Sequence, residues 1–237
     1  MTLLAIETSG FTGGVAIISD HQTRGELIIG SRSTYSRRLL KSIIFLMKEA
    51  ECTWDDITEV AVSLGPGSFT GLRIGLATAK GLCLSTGANL FGVPTLDVLA
   101  QNGLLSPAPV ICPVMDARRG QLYAALYRNK GKGVLERVSD YLVVKPQELH
   151  RHLPSHERVL FLGPGLLSYR QSISDILGDR ALFAPEPFWY PRPLFCGLLA
   201  LSRREQGMSP DDPISLTPLY LRLSEAEEKK RASEKAS

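Results

Sequence analysis

Two acidic residues stand where apolar runs end in turns. Glu7 closes residues 3–6 and opens Glu7-Thr8-Ser9-Gly10, and Asp116 closes residues 110–115 and opens Asp116-Ala117-Arg118-Arg119-Gly120. A carboxylate at a strand end, with the N–H groups of a Gly/Ser/Thr turn beside it, is how many phosphotransferases hold Mg²⁺ and a nucleotide. The chemistry would be ATP hydrolysis or phosphoryl transfer with Glu7 and Asp116 as the acidic pair. The second turn fits this poorly, because Arg118 and Arg119 put two long cations where small residues would let a phosphate approach. Each carboxylate reads equally well as a plain strand terminator.

A third candidate is Gly65-Pro66-Gly67-Ser68-Phe69-Thr70-Gly71, a Gly-rich stretch between a strand pattern and a helix pattern. It lacks the lysine that lets a phosphate-binding loop reach its ligand, so it is weak in that role. Its spacing says more. Gly67, Gly71 and Gly75 recur every four residues and Ala79 continues them, which puts a small-residue stripe on one helix face flanked by Leu72, Arg73, Leu76 and Lys80. Each interior glycine costs about 1 kcal/mol relative to alanine. The stripe therefore marks a close contact, either inside the chain, with the helix at 36–50 as the obvious neighbour, or with another chain.

His150, His152 and His156 form a histidine cluster with H-x-x-x-H spacing at 152 and 156. Pro154 lies between the last two and breaks the helix that would align them, so no metal site is assigned there. A metallopeptidase would need such a site, and the zinc-protease and esterase motifs are absent from the sequence.

The elements that position these residues repeat. Residues 3–6, 15–18 and 26–29 read as three strands, followed by a helix at 36–50 with Ser36 as N-cap, a strand at 60–64, the Gly loop, a helix to 85, a strand at 90–93 and a helix from Thr95. After the hinge candidate Ser106-Pro107-Ala108-Pro109, strands at 110–115, 121–127 and 134–144, a helix from Pro146, a strand at 159–162, Gly163-Pro164-Gly165 and a helix at 166–177 follow the same plan. A Pro-rich crossing leads to a last helix at 194–205. This gives a first lobe over 1–104, a second over 105–223 that includes the last helix, and a disordered tail at 224–237.

Composition sets the bounds. Lys and Arg number 27 against 24 Asp and Glu, a net charge of +3, and 44% of residues are hydrophobic. These values fit a globular protein, which the order of strands and helices makes α/β, and speak against a dedicated nucleic-acid or membrane surface. Apolar runs such as residues 43–47 are far shorter than the roughly 20 residues of a membrane span, and a cytoplasmic location is expected. Cys52, Cys83, Cys112 and Cys196 form no C-x-x-C pair and read as reduced thiols.

Leu4-Ala5-Ile6-Glu7-Thr8-Ser9, the string from Ser63 through Gly65-Pro66-Gly67-Ser68-Phe69-Thr70-Gly71-Leu72-Arg73-Ile74-Gly75, Asp116-Ala117-Arg118-Arg119, and Pro218-Leu219-Tyr220-Leu221-Arg222 together resemble the bacterial TsaB (YeaZ) family. The likeness spans residues 3–222, and the long glycine string is its most specific part. The resemblance implies an actin/Hsp70-like (ASKHA), two-lobed fold of duplicated RNase H-like halves. It implies a part in forming threonylcarbamoyladenosine (t6A) beside the anticodon of tRNAs that read codons starting with A. It further implies a non-catalytic subunit that binds no cofactor of its own. TsaD carries the metal and transfers the threonylcarbamoyl group, the ATPase TsaE attaches to the pair, and tRNA is reached through the complex. The paralogue's metal-binding H-x-x-x-H belongs to the first lobe, where this chain has only His21. The family's dimer, with TsaD or with itself, uses first-lobe helices. That moves the stripe toward a partner-binding reading of Gly71, Leu72, Arg73, Gly75, Leu76, Ala79 and Lys80, and leaves Glu7, Thr8, Ser9 and Asp116 as a vestigial nucleotide site. The rival is an autonomous ASKHA-type ATPase using Glu7 and Asp116.

Overall fold

Bulky and small side chains alternate along the first strands, and that alternation decides what each face of the first sheet can carry. The computed structural model describes residues 1–31, 33–131 and 133–222. The first half runs β1 (Thr2–Glu7), β2 (Thr12–Ser19), β3 (Gln22–Gly30), α1 (Tyr35–Glu49), β4 (Ile57–Gly65), α2 (Phe69–Thr86), β5 (Asn89–Pro94) and α3 (Thr95–Ala100). The strand order is β3-β2-β1-β4-β5. Leu4, Ile6, Val15, Ile17, Val60 and Val62 form one face and pack with α1 and α2. Ala5, Ala16 and Ala61, with Leu3, Ile18, Phe91 and Val93, form the other. Both faces are buried, so the strands read as continuous apolar runs.

The second half runs β6 (Val110–Arg118), β7 (Gln121–Ala124), β8 (Tyr127–Asn129), β9 (Leu135–Arg137), β10 (Leu142–Val144), β11 (Val159–Leu162), α4 (Leu166–Leu177), β12 (Ala181–Phe183) and α5 (Pro193–Glu205). Its sheet has the order β10-β7-β6-β11-β12, with β8 and β9 as an added hairpin on β6. In both sheets the first strand pairs antiparallel with the second and parallel with a later one, β1 with β4 and β6 with β11. The Gly-Pro-Gly loops match as well, with Gly65 at φ +114° and Gly163 at φ +118°. The duplication is real, and the fold is the actin/Hsp70-like α/β fold.

Several expectations need correction. The strand at 121–127 is two strands, β7 and β8, the one at 134–144 is likewise β9 and β10, and the segment Pro146–His152 is a 3-10 helix. The N-cap position of α1 is Thr34, whose side chain makes no capping hydrogen bond, rather than Ser36. The expected tail at 224–237 lies outside the described residues.

The larger correction concerns the last helix, α5. Its Cys196, Ala200 and Leu201 pack on the small-residue face of the first sheet. A Cβ on Gly197 would come within 2.7 Å of Ile18 and 3.2 Å of Ala5 Cβ, so the helix needs those small residues to approach. Charges fix both ends. The Leu194 backbone N–H donates to Glu26 Oε1 at 3.0 Å, and Arg192 pairs with the same carboxylate. At the other end Arg204 pairs with the nearly buried Glu59 at 3.2 Å. A carboxylate at a helix N-terminus and a cation near its C-terminus both favour the macrodipole. In return, Leu96, Leu99 and Ala100 of α3 join the core of the second lobe. Asp97 of α3 accepts from Tyr141 Oη at 2.9 Å and from Tyr127 Oη. The halves interlock, so a boundary at 104/105 divides the chain but not the packing.

Candidate functional site

The two acidic turns and the two Gly loops meet at one end of the sheets, around a cleft of about 730 Å³. Ser9, Gly10, Ser68 and Phe69 contribute from the first lobe, and Asp116, Arg118, Arg119 and Tyr123 from the second. The segments singled out in the sequence thus meet at one cleft.

The first turn is sealed. Glu7 is fully buried; its Oε1 accepts the Ser9 N–H at 2.6 Å and its Oε2 finds no hydrogen-bond partner among the described residues. Burial pushes the Glu7 carboxyl up to about 7, partly offset by the neighbouring Ser9 and Ser63. The lid is the start of α2. Ser68 caps that helix by accepting the Gly71 N–H at 3.3 Å, and its own N–H donates to Ser9 O at 2.6 Å. A Cβ would lie 2.4 Å from Ser9 O at Gly67, 2.1 Å from Thr8 O at Gly71 and 2.1 Å from Thr8 Oγ1 at Gly75. Tyr35 of α1 donates to Gly10 O at 2.8 Å and closes the far side.

This corrects the partner-binding reading of the stripe. Gly71 and Gly75 are small because the Thr8 backbone and side chain fill the space, not because another chain does, and the neighbour is the first turn rather than α1. Leu72, Leu76 and Ala79 are also buried in the first lobe. Arg73 and Lys80 alone of the seven reach the surface, and both bond to the C-terminal segment: Arg73 Nε donates to Tyr220 Oη at 3.1 Å and Lys80 Nζ to Ile214 O at 3.0 Å.

The second turn is open. Asp116 accepts from the Arg118 N–H at 2.8 Å and from Tyr169 Oη at 3.3 Å. Its side chain is 31% exposed, and Arg118 lies 3.4 Å from it. Arg118 and Arg119 sit at φ +63° and +52°, a left-handed bend that glycine would take more easily.

The histidines lie apart from the cleft; His150 Nδ1 is 2.7 Å from Gln147 O, and His152 and His156 are exposed. Among the described residues no group of three or more His, Cys, Asp and Glu could hold a metal ion. The four cysteines are free. No described helix is long and apolar enough to cross a membrane. Sequence reasoning missed the cross-lobe anchors of α5. The available signal was Glu26 and Glu59, carboxylates inside strand patterns that demand a partner when buried.

Comparison with known proteins agrees with this architecture. The family model described as "TsaD: tRNA N6-adenosine threonylcarbamoyltransferase" matches residues 30–229. The chain is 36% identical over 236 residues to the tRNA threonylcarbamoyladenosine biosynthesis protein TsaB of Bacillus subtilis, covering 99% of this chain and 100% of that one. It is 30% identical to the Escherichia coli protein of the same name over 65% of this chain and 66% of that one. The structure of YeaZ from Pseudomonas aeruginosa superposes with a TM-score of 0.78 at 23% identity, covering 93% of this chain and 99% of that one, a likeness of fold. With its glycine string, its paired hairpin turns and its full-length match to a curated relative, the chain belongs to the TsaB (YeaZ) family of tRNA threonylcarbamoyladenosine biosynthesis proteins.

Proposed function

We propose that this chain is a non-catalytic scaffold subunit that holds TsaD in a working complex for threonylcarbamoyl transfer to tRNA. TsaE attaches to that pair, tRNA is reached through the complex, and ATP, Mg²⁺ and the catalytic metal belong to the partner subunits. The carrying observation is an exposed apolar surface on two first-lobe helices that pack side by side. Leu40, Ile44 and Phe45 of α1 are 51%, 52% and 53% exposed, and Leu84 of α2 is 66% exposed. Leu40 and Ile44 are one turn apart and share a face. Exposed apolar side chains sharing a helix face, as Leu40 and Ile44 do, mark an interaction surface. Without TsaD, the same face serves to pair two copies of the chain. The partner-facing residues are therefore the outer ones of α1 and α2, while the buried stripe supports them from behind.

The sealed first turn supports the absence of catalysis by this chain. A carboxylate roofed by Gly67, Gly71 and Gly75 has no room for a metal ion or a phosphate. The test is light-scattering chromatography of this chain alone and with TsaD from the same organism, followed by a tRNA threonylcarbamoylation assay with TsaE. A heterodimer is expected, with modification only when this chain is added. Ile44→Glu should weaken that heterodimer by at least about 100-fold while leaving the thermal midpoint unchanged, since burying an unpaired charge costs roughly 3 kcal/mol or more. ATP turnover by this chain alone, abolished by Glu7→Gln, would instead establish the enzyme reading.

A further inference from the structure

The motif Pro218-Leu219-Tyr220-Leu221-Arg222 plays no part in the function proposed above, yet its last four residues line the cleft. It is fastened first to the Gly loop. The Leu219 N–H donates to Leu64 O at 2.8 Å, at the end of β4. Its carbonyl lies so near Gly65 that a Cβ there would come within 3.0 Å. Tyr220 stacks on Phe69 with ring centroids 5.3 Å apart, and the Arg73 guanidinium lies 3.7 Å from the centre of the same Phe69 ring while donating to Tyr220 Oη. The chain then crosses the cleft. Arg222 donates to Ala117 O at 3.3 Å, the carbonyl next to Asp116 in the second turn.

Leu219–Arg222 thus touch both walls of the cleft. Upstream, the same segment is anchored to the first lobe, where Asp211 Oδ2 accepts the Gly92 N–H at 2.7 Å and Ile214 O accepts from Lys80. Two-lobed folds open their cleft by a hinge rotation that moves such walls apart. Here the rotation would break the Arg222 contact or unstack Tyr220.

We infer that residues 218–222 are a strap that clamps the interlobe cleft and couples the outer edge of α2 to the second hairpin turn. Each fastening, the aromatic stack and the hydrogen bond, biases the cleft toward its closed form by about tenfold or somewhat less. The inference rests only on contacts within this chain and holds whether or not the scaffold reading does.

The test is hydrogen exchange by mass spectrometry on the full chain and on Tyr220→Ala, Tyr220→Phe and Arg222→Ala. The reporters are the Leu219, Ser68 and Arg118 amides, bonded respectively to Leu64 O, Ser9 O and Asp116 Oδ1. Tyr220→Ala should speed exchange about tenfold at all three sites and nowhere in β11 or β12. Tyr220→Phe, which keeps the stack, should restore most of the protection. Arg222→Ala should speed the Leu219 and Arg118 amides and spare Ser68. Unchanged exchange at all three sites in both alanine variants would overturn the strap. A uniform rise across both lobes would overturn it too, making the segment an ordinary part of global stability.

Discussion

At the end of β1 the turn Glu7-Thr8-Ser9 is roofed by three glycines of α2 and its loop, and its carboxylate is cut off from solvent. At the end of β6 the equivalent turn carries Arg118 and Arg119 in a left-handed bend, and its carboxylate stays in contact with the cleft. The strands that lead into the turns are paired alike and the Gly loops that follow match. What differs is side-chain volume. In the first half small residues on both partners let the backbones touch. In the second, the Gly165 N–H still donates to Val114 O at 3.0 Å, but Leu166 and Tyr169 follow it in α4, and the turn itself is built from long cations. A duplicated nucleotide cradle needs two open, small-residue turns facing one another. This chain has one closed turn and one open turn that carries two arginines.

The comparison can be broken most severely at the roof. Gly71→Val should cost more than about 4 kcal/mol, because a Cβ meets the Thr8 carbonyl at 2.1 Å and neither backbone can yield. The expected result is insoluble protein or a midpoint shift in urea well beyond that of any change at the second turn. Wild-type stability would mean that α2 does not seal the turn. Gly75→Leu should fare as badly, so it cannot serve as a clean probe of partner binding.

Next comes Glu7. Its carboxyl titrates near 7 when folded and near 4.5 in the free chain, so the folded state holds the extra proton between those values. Stability is then fully present below about pH 4.5 and falls as pH rises to about 7, by up to roughly 3 kcal/mol. Glu7→Gln should flatten that part of the stability profile. Identical wild-type and variant slopes from pH 5 to 7.5 would show the first turn to be solvated.

Smaller effects belong to the open turn. Tyr169→Phe removes a 3.3 Å hydrogen bond to Asp116 and should cost at most about 1 kcal/mol in urea unfolding. Arg119→Gly relieves a residue at φ +52° and should change stability by less than about 1 kcal/mol, in the stabilising direction. A large loss there would show that the second turn is as tightly built as the first.

Much of the fold was legible because its signals are local. The short apolar runs at 3–6, 15–18 and 60–64, the repeated Gly-Pro-Gly loop and the period of residues 36–50 each lie within one short window. The short second-half strands were harder to divide. Ala125 and Leu126 are as buried as the strand residues around them, so apolarity gave no sign that β7 ends and β8 begins. The candidate site was legible as a set of segments. Its state was not, because nothing in Gly67, Gly71 and Gly75 says which backbone will fill the space beside them.

The sequence by itself determined the repeated succession of elements, the two acidic turns, the need for close approach along α2 and membership of a family. Those follow from periodicity, turn chemistry and a long specific string. Only the tertiary structure decided that Thr8 and Ser9 occupy the stripe, that α5 crosses to the first sheet, that α3 serves the second core and that Tyr220 and Arg222 tie the lobes. A small-residue face or an apolar helix face specifies the shape of its neighbour but not its place in the chain, and burial is non-directional. The choice falls to whichever distant segment matches in volume and charge, here Glu26 and Glu59 for α5 and the Thr8 backbone for Gly71.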